Sequence, residues 1–312
     1  MSAEKRSFKI LTYPWHAAND DALTRVGHRF HYLCSAPREW NTEIRPLPKA
    51  ILWVPDSRSV QTDLMILHLD QWSLQEPSVR FHFLHWKEIY PGKKIVINHG
   101  CNLVDGCSSE QMARLVEGCF MVCASETAQR LWNIPRSRVI MNGVSAADWP
   151  QTSYTRHEVL VVQPFASRHE RYRNTALVEK AERKVDITWI GRDKKFESFQ
   201  KYRHYVRGSS IFFNPSLGSP NPRARTEAML SGLAVVTTNS HGEDQFITNG
   251  VNGFCSDNPK ELVDYLAFLK ANPAKTKEIG RAGRITAQKH FDVQRFSDQW
   301  NQLLNEVVSG TL

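Results

Sequence analysis

Residues Phe212–Thr238 read FFNPSLGSPNPRARTEAMLSGLAVVTT, and this stretch decides the fold class. An apolar run ends at Phe213 and enters a loop rich in proline and glycine. A helical segment begins near Arg223 and stops at Ser231–Gly232, and a second apolar run, Leu233–Val236, follows at once. This order predicts a βαβ unit whose loop lies at the carboxyl end of the first strand, the edge at which open α/β sheets bind ligands.

The start of this helix predicts an anion site. The first N–H groups of a helix have no intrahelical partners and favour negative charge. Arg223 and Arg225 lie within or beside the first turn, where a solvated helix usually carries carboxylates. The pattern therefore favours a negatively charged ligand, most simply a phosphate, with ordinary surface arginines on a solvated turn as the alternative.

Strand-like apolar runs alternate with helical segments along most of the chain, which indicates parallel, doubly wound sheets. The polar stretch Asp148–Arg156 interrupts this alternation, and it restarts at Val159–Val162. A length of 312 residues also favours two domains. We therefore expect α/β domains at residues 1–150 and 151–290, followed by a C-terminal helix at 291–312.

The composition excludes several classes of protein. Hydrophobic residues make up 41% of the chain and charged residues 23%, which is typical of a soluble globular protein. No run approaches the ~20 apolar residues of a membrane span, and the first residues lack a signal-peptide core, so we expect a cytoplasmic protein. The net charge of +8 favours an anionic partner such as a nucleotide, a nucleic acid or an acidic membrane surface, although solubility alone would also explain it.

The six cysteines do not form a dense disulfide framework. Cys101 and Cys107 lie near His99, but their spacing matches no zinc pattern, so we expect structural or free thiols and no metal site. The sequence also lacks the Walker A, G-x-G-x-x-G, H-E-x-x-H and G-x-S-x-G motifs.

Four segments together resemble a known family. Ser125–Arg130 (SETAQR) and Arg138–Val144 (RVIMNGV) are similar to the close of the first domain in retaining GT-B glycosyltransferases of the large family-four type. PSLGSPNPRARTEAMLSGLAVVTT, followed by HGEDQFITNGVNGF, is similar to their nucleotide-sugar segment. The resemblance extends from about Lys94 to Phe254. It implies two Rossmann-like domains facing across a cleft, a hinge near Asp148–Arg156, a last helix returning to the first domain, and sugar transfer to a hydroxyl acceptor.

The resemblance assigns the donor, with a UDP-sugar favoured, to the second domain. Glu227 matches the second glutamate of the family's Glu-x7-Glu pattern, which holds the donor ribose, and a carboxylate can accept hydrogen bonds from both ribose hydroxyls. The first glutamate of the pattern is replaced by Ser219. The residues expected around the donor are Gly218, Ser219, Asn221, Arg223, Arg225, Thr226, Glu227 and, from the first domain, His16.

Relatives carry an arginine and a lysine, five or six residues apart, after the first strand of the second domain. Here Arg168 and Arg173 are five apart, with Arg171 as the competitor. Such cations would stabilise charge on the leaving phosphate without a metal ion. His99 matches a position near the transferred sugar, and a structural role is its alternative.

Three further residues lie within or just after strands of the first domain. His16 lies in a Tyr-Pro-Trp-His turn at the position of a Gly-rich loop in many relatives. His68 and Asp70 are weaker candidates, for which packing and capping are favoured.

The acceptor stays open between an envelope or lipid-linked saccharide, with contact to an anionic membrane, and a hydroxylated DNA base of the phage type. The replacement at Ser219 also keeps open a non-catalytic GT-B partner subunit that binds a nucleotide or sugar.

Overall fold

The computed structural model describes residues 7–36, 39–70, 76–100, 107–163, 174–239 and 242–312. The chain forms two compact units. Unit 1 comprises Met1–Gly143 and Gln294–Leu312, and unit 2 comprises Val144–Val293. Each unit is built on one parallel sheet, which confirms the predicted α/β class with two Rossmann-like domains.

Unit 1 contains a seven-stranded sheet in the order β3-β2-β1-β4-β5-β6-β7. The strands are β1 (Lys9–Thr12), β2 (Arg29–Leu33), β3 (Ile51–Val54), β4 (Leu64–Leu69), β5 (Lys93–Asn98), β6 (Phe120–Cys123) and β7 (Ser137–Val139). The helices that precede the second unit are α1 (Ala17–Thr24), α2 (Pro77–Ile89), α3 (Ser109–Leu115) and α4 (Glu126–Trp132). The strand order reverses between β1 and β4, so the carboxyl ends of these two strands form the switch point at which doubly wound sheets bind ligands.

Side chains alternate across this sheet and form two apolar clusters. The last helix, α10 (Val293–Ser309), closes one cluster through Phe296, Trp300, Leu303 and Leu304. The N-cap residue of α3 is Ser108. Ser108 accepts from the Gln111 N–H, while the Gln111 side chain accepts from the Ser108 N–H, which is a capping box.

Unit 2 contains a five-stranded sheet in the order β12-β11-β10-β8-β9. Its strands are β8 (Val159–Val162), β9 (Ile187–Ile190), β10 (Ile211–Asn214), β11 (Ala234–Thr237) and β12 (Phe254–Cys255). Its helices are α5 (Thr175–Glu182), α6 (Phe199–Gly208), α7 (Arg223–Leu230), α8 (Pro259–Ala271) and α9 (Pro273–His290). The segment β10-α7-β11 is the predicted βαβ unit, and the strand order reverses between β8 and β10.

The expected linker Asp148–Arg156 lies within unit 2, several residues beyond the point where the chain leaves unit 1. Thr152 is buried, and its hydroxyl lies 2.7 Å from the carbonyl oxygens of both Arg207 and Ser209. The Thr152 N–H also donates to the Ser231 carbonyl. The segment is polar because its side chains bind backbone groups of unit 2, and a sequence pattern cannot distinguish this from a solvated linker.

Gly280 provides a test of the packing of α9. A Cβ atom at Gly280 would lie 2.1 Å from the backbone oxygen of Gly232. Glycine-to-alanine changes inside helices ordinarily stabilise by about 0.5–1 kcal/mol. Here the neighbouring atom belongs to the backbone, so we expect Gly280→Ala to lower the free energy of unfolding by about 1–3 kcal/mol, the usual range for overpacking.

Urea unfolding measures this difference. The control is Gln288→Ala at an exposed position of the same helix, expected to change stability by less than about 0.5 kcal/mol. A Gly280→Ala protein as stable as its parent would contradict the described contact.

Candidate functional site

The loop between β10 and α7 lies at the switch point of the second sheet. Two of its residues have left-handed backbone conformations, Gly218 with φ of 76° and Asn221 with φ of 65°. Glycine adopts this region freely, and asparagine tolerates it better than most side chains. The Thr238 hydroxyl donates to the Ser216 carbonyl, and the Asn174 amide donates to the Pro215 carbonyl at 3.1 Å. The loop is therefore held to the ends of the adjacent elements.

A buried polar network underlies this loop. Nη1 of Arg225 lies 2.7 Å from Oε1 of Glu243, and its Nη2 donates to Oδ1 of Asn221 at 2.8 Å. The Thr226 hydroxyl donates to the same Asn221 oxygen at 3.3 Å. The guanidinium also lies over the ring of Phe246, 4.9 Å from its centroid. Arg225 and Glu243 are each only 1% exposed, so the pair is enclosed by protein.

This geometry corrects the expectation that Arg225 faces an anionic ligand. Burial lowers the pKa of Arg225, and the Glu243 carboxylate opposes that shift by favouring the charged form. The positive charge of Arg225, which from the sequence opposes the helix dipole, is balanced inside the fold by the Glu243 carboxylate. Asn221 and Thr226 were also expected at the donor, and their side-chain contacts orient the loop from below. Glu243 was missed because its partner is 18 residues away, and no local spacing pattern connects them.

Glu227 lies two residues beyond Arg225 on α7, and it is 4% exposed. Its Oε1 lies 3.2 Å from Nε of Arg223, one helical turn earlier, and the Arg223 side chain is 11% exposed. The two side chains form an ion pair at the first turn of α7, where the helix N–H groups favour negative charge. Ser219, at the position of the missing glutamate, is buried in the loop. Gly218, Ser219, Arg223 and Glu227 thus belong to one loop-and-helix segment, as expected.

The arginines expected to bind a leaving phosphate, Arg168, Arg171 and Arg173, lie outside the described residues. The segment that contains them follows β8, the strand that pairs with β10.

In unit 1, a chain of hydrogen-bonded side chains lies at the β1/β4 switch point. Nε2 of His68 lies 3.0 Å from the Thr12 hydroxyl, and its Nδ1 lies 3.0 Å from Nε2 of His99. Nδ1 of His99 is in turn 3.2 Å from the Asn19 amide. Thr12 and His68 are buried, whereas Asn19 and His99 are partly exposed. The chain leads from the interior of the unit towards its surface.

The turn after β1 supports this chain. Trp15 stacks on both imidazoles, with ring centroids 6.0 Å from His68 and 6.1 Å from His99. The Asp20 carboxylate accepts from the backbone N–H groups of Trp15 and His16, at 2.9 and 3.0 Å. His16 itself is exposed and precedes α1 as its N-cap residue. Of the residues expected in this unit, His99 and His68 are in direct contact, a pairing that the sequence did not predict.

Cys34, Cys107, Cys119, Cys123 and Cys255 are free thiols, and Cys101 lies outside the described part of the chain. No group of three or more His, Cys, Asp or Glu side chains among the described residues has an arrangement that could hold a metal ion. None of the helices described is both long enough and apolar enough to span a bilayer.

Two doubly wound units, the second with a Pro/Gly loop leading into a helix that carries a buried glutamate, define the GT-B class of fold. Residues 155–286 match the model of the family described as glycosyl transferases group 1. The matched residues lie within unit 2.

Two curated proteins match shorter stretches. Spore coat protein SA of Bacillus subtilis is 30% identical over 99 residues, which cover 31% of this chain and 26% of that protein. Sucrose synthase of Acidithiobacillus caldus is 27% identical over 121 residues, which cover 36% of this chain and 15% of that protein. The matched stretches thus span about a quarter or less of these relatives.

A solved structure, that of Anabaena HepE in complex with UDP and glucose, matches at a TM-score of 0.72. The match covers 96% of this chain and 100% of that chain at 15% sequence identity. At this identity the likeness shows the shared fold.

The Arg225–Glu243 pair yields a stability prediction. Arg225→Met removes the guanidinium and leaves Glu243 as a buried carboxylate without its cation. Breaking a buried pair on one side typically costs about 3–5 kcal/mol, so we expect a loss of this size in the free energy of unfolding. Arg225→Met combined with Glu243→Leu removes both charges, and we expect the double variant to recover part of the loss.

Urea unfolding of the single and double variants measures the coupling between the two residues. Arg281→Met, at an exposed position of α9, is the matched control and is expected to be nearly neutral. A loss below about 1 kcal/mol for Arg225→Met would show that the pair does not hold the loop.

Proposed function

We propose that the protein is a retaining glycosyltransferase that moves a sugar from a nucleoside-diphosphate sugar to a hydroxyl acceptor. The observation that carries the proposal is Glu227, which lies on the first turns of α7 within the segment that matches the group 1 family. A UDP-sugar is the favoured donor, and the UDP and glucose bound by Anabaena HepE support this choice.

In this proposal the donor binds unit 2. The Glu227 carboxylate accepts hydrogen bonds from the two ribose hydroxyls, and Arg223 orients it through their contact at 3.2 Å. The N–H groups at Gly218 and in the first turn of α7 face the diphosphate, because a helix start stabilises negative charge. Arg225 acts on the donor only by shaping the loop.

Leaving-group stabilisation falls to Arg168 and Arg173, with Arg171 as the alternative partner. Breaking the bond between the sugar and the diphosphate concentrates negative charge on the phosphate oxygens. Fixed cations stabilise that charge most where water is excluded, and this contribution does not depend on a metal ion. Retention then requires no carboxylate nucleophile, because the acceptor attacks from the face that the diphosphate leaves.

We assign the transferred sugar and the acceptor to the carboxyl edge of the first sheet, where His99 and His16 lie. His99 contacts a sugar hydroxyl in this proposal, and the acceptor is a saccharide. The alternative acceptor, a hydroxylated DNA base, is tested by measuring binding to duplex DNA at increasing salt concentration. An affinity that falls steeply with ionic strength would show contact with phosphates and favour this acceptor.

One observation favours a second candidate. Ser219 replaces the first glutamate of the family pattern, so a GT-B subunit that binds a nucleotide sugar without transferring it would also carry this sequence. The two functions are separated by whether the purified protein releases UDP from a donor that it binds. A transferase releases UDP, and a subunit that only binds the donor does not.

The donor is tested by thermal unfolding with UDP-, GDP-, ADP- and dTDP-sugars. A ligand that binds only the folded state stabilises it by about 2.7 kcal/mol at 100 times its Kd, so we expect UDP-sugars to raise the Tm. Glu227→Gln keeps the size of the side chain and removes its charge, and we expect it to lose most of this increase and the release of UDP.

Glu278→Gln, an exposed change on α9, is the matched control and should behave like the parent protein. Absence of stabilisation by every nucleotide sugar in the parent protein would overturn the proposed function. Equal stabilisation of parent and Glu227→Gln would overturn the assignment of Glu227 alone.

A further inference from the structure

The chain Thr12–His68–His99–Asn19 uses both ring nitrogens of both histidines. The two imidazoles are nearly parallel, with centroids 5.3 Å apart and an angle of 23° between their planes. The backbone N–H of His99 donates to the Leu69 carbonyl at 2.8 Å, and this bond continues the β4–β5 ladder by one residue. Strand pairing therefore places the two rings side by side.

Thr12, at the buried end of this series of hydrogen bonds, determines which ring nitrogens of His68 and His99 carry protons. Thr12 is 0% exposed, and within the described part of the structure its hydroxyl oxygen contacts one polar partner, Nε2 of His68. A buried hydroxyl that only accepts would leave its proton without an acceptor, which costs about 1–3 kcal/mol. The Thr12 hydroxyl is therefore the donor, and Nε2 of His68 is the acceptor.

The remaining proton positions follow from this assignment. A neutral His68 that accepts at Nε2 carries its proton at Nδ1 and donates it to Nε2 of His99. A neutral His99 that accepts at Nε2 carries its proton at Nδ1, on the side of Asn19. Nδ2 of Asn19 is the atom 3.2 Å from that nitrogen, and a half-turn of the amide puts its oxygen in this place as the acceptor of the His99 proton.

The surroundings keep His68 in place. The Tyr13 hydroxyl accepts from the backbone N–H of His68 at 3.0 Å and donates to the His68 backbone carbonyl at 3.2 Å. His82, on α2, meets the Tyr13 ring at 4.6 Å, and burial lowers the pKa of His82 to about 4, so it adds no positive charge here. His68 is 1% exposed, which leaves it no direct access to a ligand from solvent.

We propose that His68 is a positioning residue that holds His99 in its Nδ1–H tautomer, so that Nδ1 of His99 presents a hydrogen-bond donor. This donor lies 3.2 Å from the Asn19 amide. A hydroxyl or ring oxygen of the transferred sugar is the ligand chemistry that it fits. The identity of the ligand rests on the proposed function, but the tautomer of His99 is a property of the protein alone.

The first experiment reads the tautomer without any substrate. The full chain is labelled with ¹⁵N-histidine, and two-bond ¹H–¹⁵N spectra distinguish protonated from unprotonated ring nitrogens. We expect one tautomer of His99, protonated at Nδ1, in the parent protein. His68→Phe keeps the aromatic stacking and removes both ring nitrogens, and we expect the His99 ring to become a mixture of tautomers.

The second experiment measures the consequence for transfer. With the donor found by thermal unfolding, we expect His68→Phe to lower kcat for UDP release by about 10- to 100-fold, by analogy with the loss of partners that orient metal-bound histidines. The KM for the donor should stay within about twofold, because His68 does not touch it. His68→Asn places an amide N–H towards His99 and should recover most of the lost kcat.

Thr12→Val is the milder matched variant, since it removes only the hydroxyl that fixes His68. We expect it to lower kcat in the parent and to have no further effect in the His68→Phe background, because Thr12 acts through His68. His85→Phe, at an exposed histidine of α2, should leave both the spectra and the kinetics unchanged.

The outcomes separate this inference from the proposed function. An unchanged His99 tautomer in folded His68→Phe and Thr12→Val proteins overturns the inference, whatever the donor assays give. A tautomer shift with no nucleotide sugar bound by the parent supports the positioning role and overturns the proposed function instead. Equal losses of kcat in His68→Asn and His68→Phe also contradict the inference, since they would show that contact with His99 is not what matters.

Discussion

Parallel strand pairing brings the carboxyl ends of all strands of a sheet to one edge, and a single reversal of strand order opens a crevice there. In unit 1 this reversal lies between β1 and β4, and in unit 2 between β8 and β10. Both clusters of polar side chains described above lie at these points. The hydrogen-bonded histidines lie at the carboxyl ends of β1, β4 and β5. The loop that leads to α7 and Glu227 follows β10. The topology therefore determines where chemistry is possible before any side chain is considered.

The loop after β10 depends on a charge that solvent does not reach. A buried ion pair loses its hydration, so it adds little to stability compared with apolar residues of the same size, but losing one partner is costly. That asymmetry suits a structural clamp. Arg225 joins the left-handed Asn221 to Glu243 through hydrogen bonds of 2.8 and 2.7 Å. The neighbouring Arg223 contacts Glu227 instead and is partly exposed.

The parts predicted correctly from the sequence are those that depend on local patterns. Alternation of apolar runs and helical segments predicted the α/β class, and the order of residues in Phe212–Thr238 predicted the unit β10-α7-β11. The parts missed depend on tertiary contacts. The polar residues around Thr152 look the same whether they meet water or buried carbonyls. The contact between His68 and His99 requires the β4–β5 register, which fixes residues 31 positions apart and cannot be derived from spacing along the chain.

The same distinction explains why the two arginines of α7 were given one role. Both were counted as cations opposed to the helix dipole, and from the sequence they are equivalent. In the structure they differ by which face of the helix they occupy, since residues two apart lie on different faces. Arg225 turns inward to Glu243, whereas Arg223 stays partly exposed one turn before Glu227. Arg223 and Glu227 therefore form an ion pair on one face of the helix, and Arg225 contacts Glu243 from the other. Ser219, at the position of the missing glutamate, is a short, buried residue of the same loop, and the loop residue that contacts Arg225 is Asn221.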